Sequence, residues 1–449
     1  MDTRRRDLGE EAVDIAVDAA AIAEAVIRLD AWLETMRGPD GYGGPVAHWW
    51  QNCFQFTGTG LDWRYEGIII GYLNLYEKTG DEQWFAKARR AGDDLVRGQL
   101  STGNFRNSCF ELNPYTGGTP HEAACDLALL HLAQVLREQG DPAWQTYLAT
   151  AKRNIWGYHI ERLWDPEAQA FRDHPRIPGF VPNKAATLVE GLLMLARLTG
   201  DEALVEIYAL PTLEAILAHQ VQGGPLDGAI YQYSQKGRFV ARFFPFYIAR
   251  CVPGLVAGYE WTGDRRYLDA ARRALDFVLQ WRYNDGSFPQ VVYPGGRVNR
   301  YPQWIAATGD ILRAMALLAP YGFEADPEPT LAWLLRGQEP LGGFRTARGF
   351  ASQISQREPG ALPEFRDLLP VIGWSSMAFR YLTDLWPDGA EEKQAAAERF
   401  EVPCVFRGRE LTFAETEDQI ELWDGTEPLY RWRKGAAWAE VCPPEMMWK

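Results

Sequence analysis

The chain has 449 residues, of which 47% are hydrophobic and 24% charged, with a formal net charge of −14. This is ordinary for a globular protein able to bury a large core. Its acidity argues against general binding of nucleic acid or anionic membrane, since phosphate binding relies on clustered Lys and Arg, and no apolar stretch is long enough to span a membrane. The N-terminal MDTRRRDLGEEAVD lacks an apolar h-region and the six Cys contain no CxxC pair, so a cytoplasmic protein with free thiols is expected.

Length alone suggests about three domains, but an internal repeat points to one. EKTGD at 77–81, REQGD at 137–141, RLTGD at 197–201 and EWTGD at 260–264 place Gly at 80, 140, 200 and 263, and APYGFEAD adds a degenerate copy with Gly322 and Asp326. Gly at C′ ends one helix in the left-handed conformation, and the following Asp caps the next. Each mark is therefore a tight helix–helix turn. Helical apolar spacing predicts an opening outer helix at 11–36. Ala-, Leu-, Ile- and Gly-rich inner helices follow near 63–79, 121–138, 184–198, 244–261 and 304–319. More charged outer helices lie near 82–99, 142–160, 202–219, 265–282 and 328–338, and an inner helix at 371–385 closes the series. VRGQLSTGNF at 96–105 and LRGQEPLGGF at 335–344 end two outer helices in the same way.

Six inner and six outer helices close a ring, an all-α (α/α)6 toroid over residues 1–390. An open solenoid also stacks helix pairs, but here tight turns lie on one side and long loops on the other, as suits a ring with one functional face. Residues 391–449 alternate apolar and polar positions in CVFRGRELTFAE and QIELWDGTEPLYRW, predicting a small β-rich extension packed on the ring.

The TGD-punctuated hairpins, with loops such as NDGSFPQVVYP (284–294) and LGGFRTARGF (341–350), resemble the (α/α) toroid enzymes: six-hairpin glycosidases, toroid polysaccharide lyases and epimerases, and terpenoid-cyclase and prenyltransferase toroids. DGSFPQ…YP is similar to a toroid pectate-lyase segment. The DxDD and DDxxD motifs of isoprenoid enzymes are absent, as is the SxWxRGQAW segment of unsaturated-glucuronyl hydrolases. The resemblance implies a ligand site at the N-terminal mouths of the inner helices.

Those mouths carry the candidate residues. Segments 236–250, 287–309 and 341–357 carry Lys236, Arg238, Arg242, Arg250, Arg297, Arg300, Arg345, Arg348 and Arg357 with no acid. Arg binds carboxylate or sulfate through its two-pronged fork, so these loops point to an anionic glycan, with Arg242, Arg300 and Arg345 facing one cavity. GLDWRYEG (60–67) brings together Asp62, Trp63, Arg64, Tyr65 and Glu66. Asp62 and Glu66 are either a carboxylate pair for glycoside hydrolysis or a helix cap and its first-turn acid. His121 and Glu122 open an inner helix, and His121 or Tyr65 can serve as a base beside a uronate carboxylate. Lys184 is a further substrate contact, and Trp49, Trp50, Trp63, Tyr247, Trp304 and Trp374 are candidates for stacking on sugar. Cys53, Cys109, His121 and Cys125 can donate to zinc, but their spacing matches no known pattern, and no metal or cofactor is expected. The resulting reading is an enzyme on an anionic, uronic-acid-containing oligo- or polysaccharide, acting as lyase or epimerase by proton abstraction next to a carboxylate. A paired-carboxylate glycoside hydrolase and a non-carbohydrate or binding-only toroid stay open, as does the oligomeric state.

Overall fold

A computed structural model describes residues 17–48, 52–109, 114–115, 117–176, 179–390 and 398–443, with Asn52 and Cys53 described by backbone alone. The fold is an (α/α)6 toroid. In chain order the outer helices are α1 (Ala19–Thr35), α3 (Glu82–Gly98), α5 (Trp144–Asn154), α7 (Leu210–Ala218), α9 (Arg265–Leu279) and α11 (Glu328–Arg336). The inner helices are α2 (Arg64–Thr79), α4 (Ala123–Glu138), α6 (Pro182–Thr199), α8 (Val252–Thr262), α10 (Thr308–Leu318) and α12 (Ile372–Asp384). Among the described residues no helix is long and apolar enough to cross a membrane.

The repeated turns behave as their chemistry requires. Gly80, Gly140, Gly200 and Gly263 have φ of 69°, 75°, 72° and 71°. The side chains of Asp81, Asp141, Asp264 and Asp326 each accept a backbone N–H two residues on. Beyond Gly200 the chain instead enters a π-helical stretch, Val205–Ala209, before α7, and a second one, Ile155–Leu163, extends α5. The inner helix expected over 244–261 is divided into Pro245–Ala249 and α8. Pro253, with no N–H to give, sits at the start of α8, so Arg250 falls at the break.

A second repeated device ties the outer layer together. At the ends of α3, α7 and α11, the amides of Gln99, Gln220 and Gln338 donate to the carbonyls of Gly103, Gly228 and Gly342 (2.8, 3.2 and 2.9 Å). Each also donates, at 2.8 Å, to a carbonyl of the next outer helix: Thr150, Ala270 and Ala25. The last of these bonds joins α11 to α1 and closes the outer ring. The inner ring closes where α2 meets α12: a Cβ on Gly67 would lie 2.0 Å from the Ser376 carbonyl oxygen, and one on Gly71 would strike Phe379.

The C-terminal residues form a four-stranded antiparallel meander, Arg399–Phe406, Arg409–Thr416, Gln419–Asp424 and Glu427–Arg433. It lies against the ring through buried Phe413 and Tyr430 on Phe365, and through Trp32, whose indole donates to Glu415 (2.8 Å). The buried Lys434 ammonium neutralises that carboxylate at 2.8 Å.

Ring closure at α2 and α12 leaves no room for a methyl group, whereas Gly200 faces open space. Gly67→Ala is expected to cost about 3 kcal/mol or more through overpacking against backbone, and Gly200→Ala about 1 kcal/mol from its positive φ alone. Urea unfolding of both variants checks the contrast.

Candidate functional site

One cavity of about 330 Å³ opens at the mouth of the ring. All six inner helices reach it by their N-terminal ends: Trp63 caps α2, His121 precedes α4, Asn183 and Lys184 open α6, Phe246, Tyr247 and Arg250 precede α8, Asp310 lies in the first turn of α10, and Trp374 in that of α12. Helix N-termini carry partial positive charge, so the shared mouth is electropositive before any side chain is counted. Asp173, Gln232, Tyr233 and Gln235 from the loops complete the wall.

Aromatic faces build one side. Trp63 stacks on His121 with centroids 5.7 Å apart, and meets Trp374 edge-on at 4.5 Å. Phe246 packs on Tyr247 (4.2 Å) and Trp374 (5.7 Å). The Tyr247 hydroxyl is hydrogen-bonded to Nε2 of the buried His48 at 3.1 Å. Burial holds His121 down to about 3, and the nearby Arg250 and Lys184 cations add to the effect. His121 is therefore a neutral imidazole at physiological pH, flanked by two fixed cations. Lys184 also pairs with Asp173 at 3.0 Å.

Below the cavity, the axis of the ring is filled by charge. Arg250, Arg313 and Arg380 converge on Glu66, which is fully buried. Burial alone would raise this carboxyl, but the three guanidiniums hold it at about 2. Arg250 also reaches Asp310 (3.4 Å) and the Thr187 hydroxyl (3.2 Å), and Arg313 donates to Glu190 at 2.9 Å. Burial raises the Asp310 carboxyl against the pull of Arg250.

Of the residues singled out in the sequence, Trp63, His121, Lys184, Tyr247, Arg250 and Trp374 line the cavity. The others lie elsewhere for identifiable reasons. Asp62 forms a two-pronged pair with Arg64 (2.7 and 2.9 Å), and Arg64 also bonds the Tyr42 carbonyl, so the pair is a buried structural clasp. The Tyr65 hydroxyl is fully buried, accepts from the Tyr42 N–H at 3.2 Å and donates to Asp94 at 3.4 Å; burial pushes it well above the usual phenol range, against a role as base. Glu66 belongs to the axis. Glu122 accepts from the Phe105 N–H behind the wall. Trp304 is buried behind Trp374, with centroids 5.2 Å apart. Arg300 pairs with Glu358 and Arg345 with Glu339, acids standing just outside the acid-free segments, so these arginines do not share the cavity. Arg242 is exposed and outside the cavity lining. Trp49 and Trp50 lie outside the described residues, as does the Cys53 side chain. The Cys125 thiol donates to the Asp62 carbonyl (3.2 Å), and among the described residues no group of three His, Cys, Asp or Glu side chains is arranged to hold a metal.

Sequence reasoning missed His48, Asp173, Asn183, Gln232, Tyr233, Gln235, Phe246 and Asp310. Asp310 carried a misleading signal: Thr308–Gly309–Asp310 repeats the turn motif, yet here it starts a helix, and Gly309 is needed because a Cβ would lie 2.7 Å from the Met377 carbonyl oxygen.

Comparison with known proteins agrees with this architecture. Residues 252–320 match the pectic acid lyase family model. The chain superposes on cellobiose 2-epimerase from Bacillus thermoamylovorans B4167 with a TM-score of 0.60 at 12% identity, covering 81% of this chain and 98% of that one. For the unsaturated glucuronyl hydrolase from Bacillus sp. GL1, described as responsible for glycosaminoglycan degradation, the TM-score is 0.56 at 15% identity, covering 83% and 99%. For an α-1,6-mannanase from Salegentibacter sp. HEL1_6 it is 0.53 at 14% identity, covering 82% and 99%. A search of the curated proteins gives no significant match. These likenesses establish the toroid fold.

Glu122 gives this region a pH signature. Burial pushes its carboxyl up to about 8. A folded-state value raised above the unfolded one favours the folded state fully below the ordinary carboxylate range, and that contribution is lost as pH rises through about 8. Glu122→Gln keeps an acceptor for Phe105 and removes the titration. Urea midpoints taken from pH 5 to 9 are expected to fall more steeply for the wild type than for the variant.

Proposed function

We propose that the chain is a carbohydrate-active enzyme that binds a uronic-acid-containing saccharide in the mouth of the ring and removes the proton beside its carboxylate, as a lyase or an epimerase. The observation that carries this reading is the neutral His121 imidazole, which shares with Lys184 and Arg250 the cavity where six helix N-termini meet. An aromatic wall of Trp63, Trp374 and Tyr247 suits the apolar face of a sugar ring, and Asn183, Gln232 and Gln235 suit its hydroxyls. The family match at 252–320 and neighbours that include an epimerase and a glucuronyl hydrolase support the same class.

The chemistry follows from charge. An imidazole held near 3 is a weak base, first because burial strips water from its protonated form and then because that form would add a third positive charge beside Arg250 and Lys184. A substrate carboxylate lying on Lys184 and Arg250 offsets the part of the depression that those cations cause, so the base strengthens when substrate is bound. His121 takes the proton, and the electrons move into the carboxylate, whose developing charge the same cations and helix ends stabilise. Tyr247, oriented by His48, gives a proton to the leaving oxygen in a lyase or to the opposite face of the carbon in an epimerase. We assign this chemistry to a ring of residues 1–390, with 391–449 as a supporting extension. The buried thiols of Cys125, Cys251 and Cys404 suit the reducing, cytoplasmic setting we propose for the chain.

A hydrolase is the second reading, favoured by Asp310, a raised carboxyl on the cavity wall that can act as an acid. Incubation with galacturonate and glucuronate oligosaccharides in D2O separates the cases. Unsaturated-sugar absorbance indicates the lyase, deuterium without cleavage the epimerase, and reducing ends alone the hydrolase. His121→Ala is expected to lower turnover about 10²-fold or more, while Arg300→Gln and Arg345→Gln leave it little changed. Full turnover by His121→Ala overturns the assignment.

A further inference from the structure

The wall of the cavity continues into a two-stranded hairpin, Tyr233–Gln235 and Arg238–Val240. Two residues join the strands, Lys236 with φ 50° and Gly237 with φ 72°, the positive pair of a tight hairpin turn. The hairpin is fastened at its base. Ser234 and Phe180 exchange backbone hydrogen bonds of 2.9 Å in both directions, and the Ser234 hydroxyl meets His219 Nε2 at 2.8 Å. Gly179 and Val181, on either side of Phe180, line the cavity, so the hairpin is a fixed extension of that wall.

Register then decides which side chains face the substrate. Directly opposed residues of an antiparallel pair share a face. Tyr233 and Gln235 line the cavity, and Gln235 is paired with Arg238. Ser234 and Phe239 take the other face, where Phe239 packs on His219 (4.7 Å) and Tyr231 (5.1 Å). Arg238 therefore stands on the cavity side, two pairs further out than Tyr233, at the rim. It is exposed and makes no ion pair among the described residues, unlike Arg300 and Arg345. A guanidinium held on a fixed arm and left without a carboxylate is placed to meet one from outside.

We propose that Arg238 forms an outer subsite that selects for acidic charge, so that the substrate is a chain of two or more sugar residues with one acidic residue in the cavity and the next at the hairpin. This rests on the saccharide reading above and specifies the size and charge pattern of the substrate. Lys236, exposed at the tip of the turn, adds attraction at longer range.

Calorimetric titration with galacturonate oligomers of one to four residues, and with neutral cello-oligosaccharides of the same lengths, tests it. For the wild type, affinity is expected to rise from monomer to dimer in the acidic series only. Arg238→Glu is expected to weaken the dimer and longer acidic oligomers about tenfold while leaving the monomer unchanged, with circular dichroism confirming the fold. Arg238→Lys should recover part of the loss. If the wild type binds the acidic monomer but Arg238→Glu binds every length equally well, the outer subsite is refuted and the cavity reading stands. If the wild type binds no acidic sugar at all, both fall together.

Discussion

A ring of six helices has a hollow axis, and here that axis is closed by one carboxylate. Glu66 is fully buried with three guanidiniums upon it. A charge in that position is tolerable only when paired, and removing one partner of such a cluster leaves others uncompensated. The network therefore fixes the inner helices relative to one another. Glu66 comes from α2, Glu190 from α6, Arg250 from the break before α8, Arg313 and Asp310 from α10, and Arg380 from α12. His131 of α4 stands beside them, held neutral by burial and by Arg380 and Arg313. Arg250 is the member that reaches both ways, down to Glu66 and up to the cavity. The break at Pro253 frees it to do so.

The same geometry accounts for the electrostatics of the mouth. A net charge of −14 repels an anion at long range. Net charge, however, bears on solubility and long-range steering, whereas a site is governed by the groups nearest to it. Six helix ends and the Arg250 and Lys184 cations meet at the mouth, and after burial these cations are the next cause of the depressed His121. Asp173 and Asp310 pair with those cations, so the pocket is polar without carrying a large uncompensated charge.

The ring was legible in the sequence because its turns are local. A Gly at positive φ followed by a capping Asp needs no tertiary information, and four near-identical copies fixed both count and spacing. The shared helix ending that holds Gln99 and Gln338 showed in the sequence, but the third Gln–Gly clasp, at 220, was hidden in HQVQGGPLDG, where only the bond partners show the likeness. The mouth was partly legible: residues that begin inner helices, His121, Trp63, Lys184 and Trp374, are where the helix starts put them. The loop arginines misled because pairing is not local. Glu358 serves Arg300 from 58 positions away, and Glu339 stands just before the segment that holds Arg345. Asp62, Tyr65 and Glu66 share a helix start with Trp63, yet each of the three turns toward a buried partner instead of the cavity. Which way a side chain turns was set by the packing of α2 on its neighbours, and the spacing of polar residues along it carried no trace of that choice.

The central claim is that His121 is a neutral imidazole in a cation-flanked cavity, waiting for an anion to make it basic. The most direct measurement is the titration of its ring by nitrogen-15 NMR, assigned with His121→Gln, in the free protein and with a saturating uronate saccharide. The account predicts no protonation of the free protein's His121 down to about pH 4, from a value near 3, and a clear rise on binding. An ordinary histidine titration in the free protein, unchanged by the acidic sugar, would contradict it.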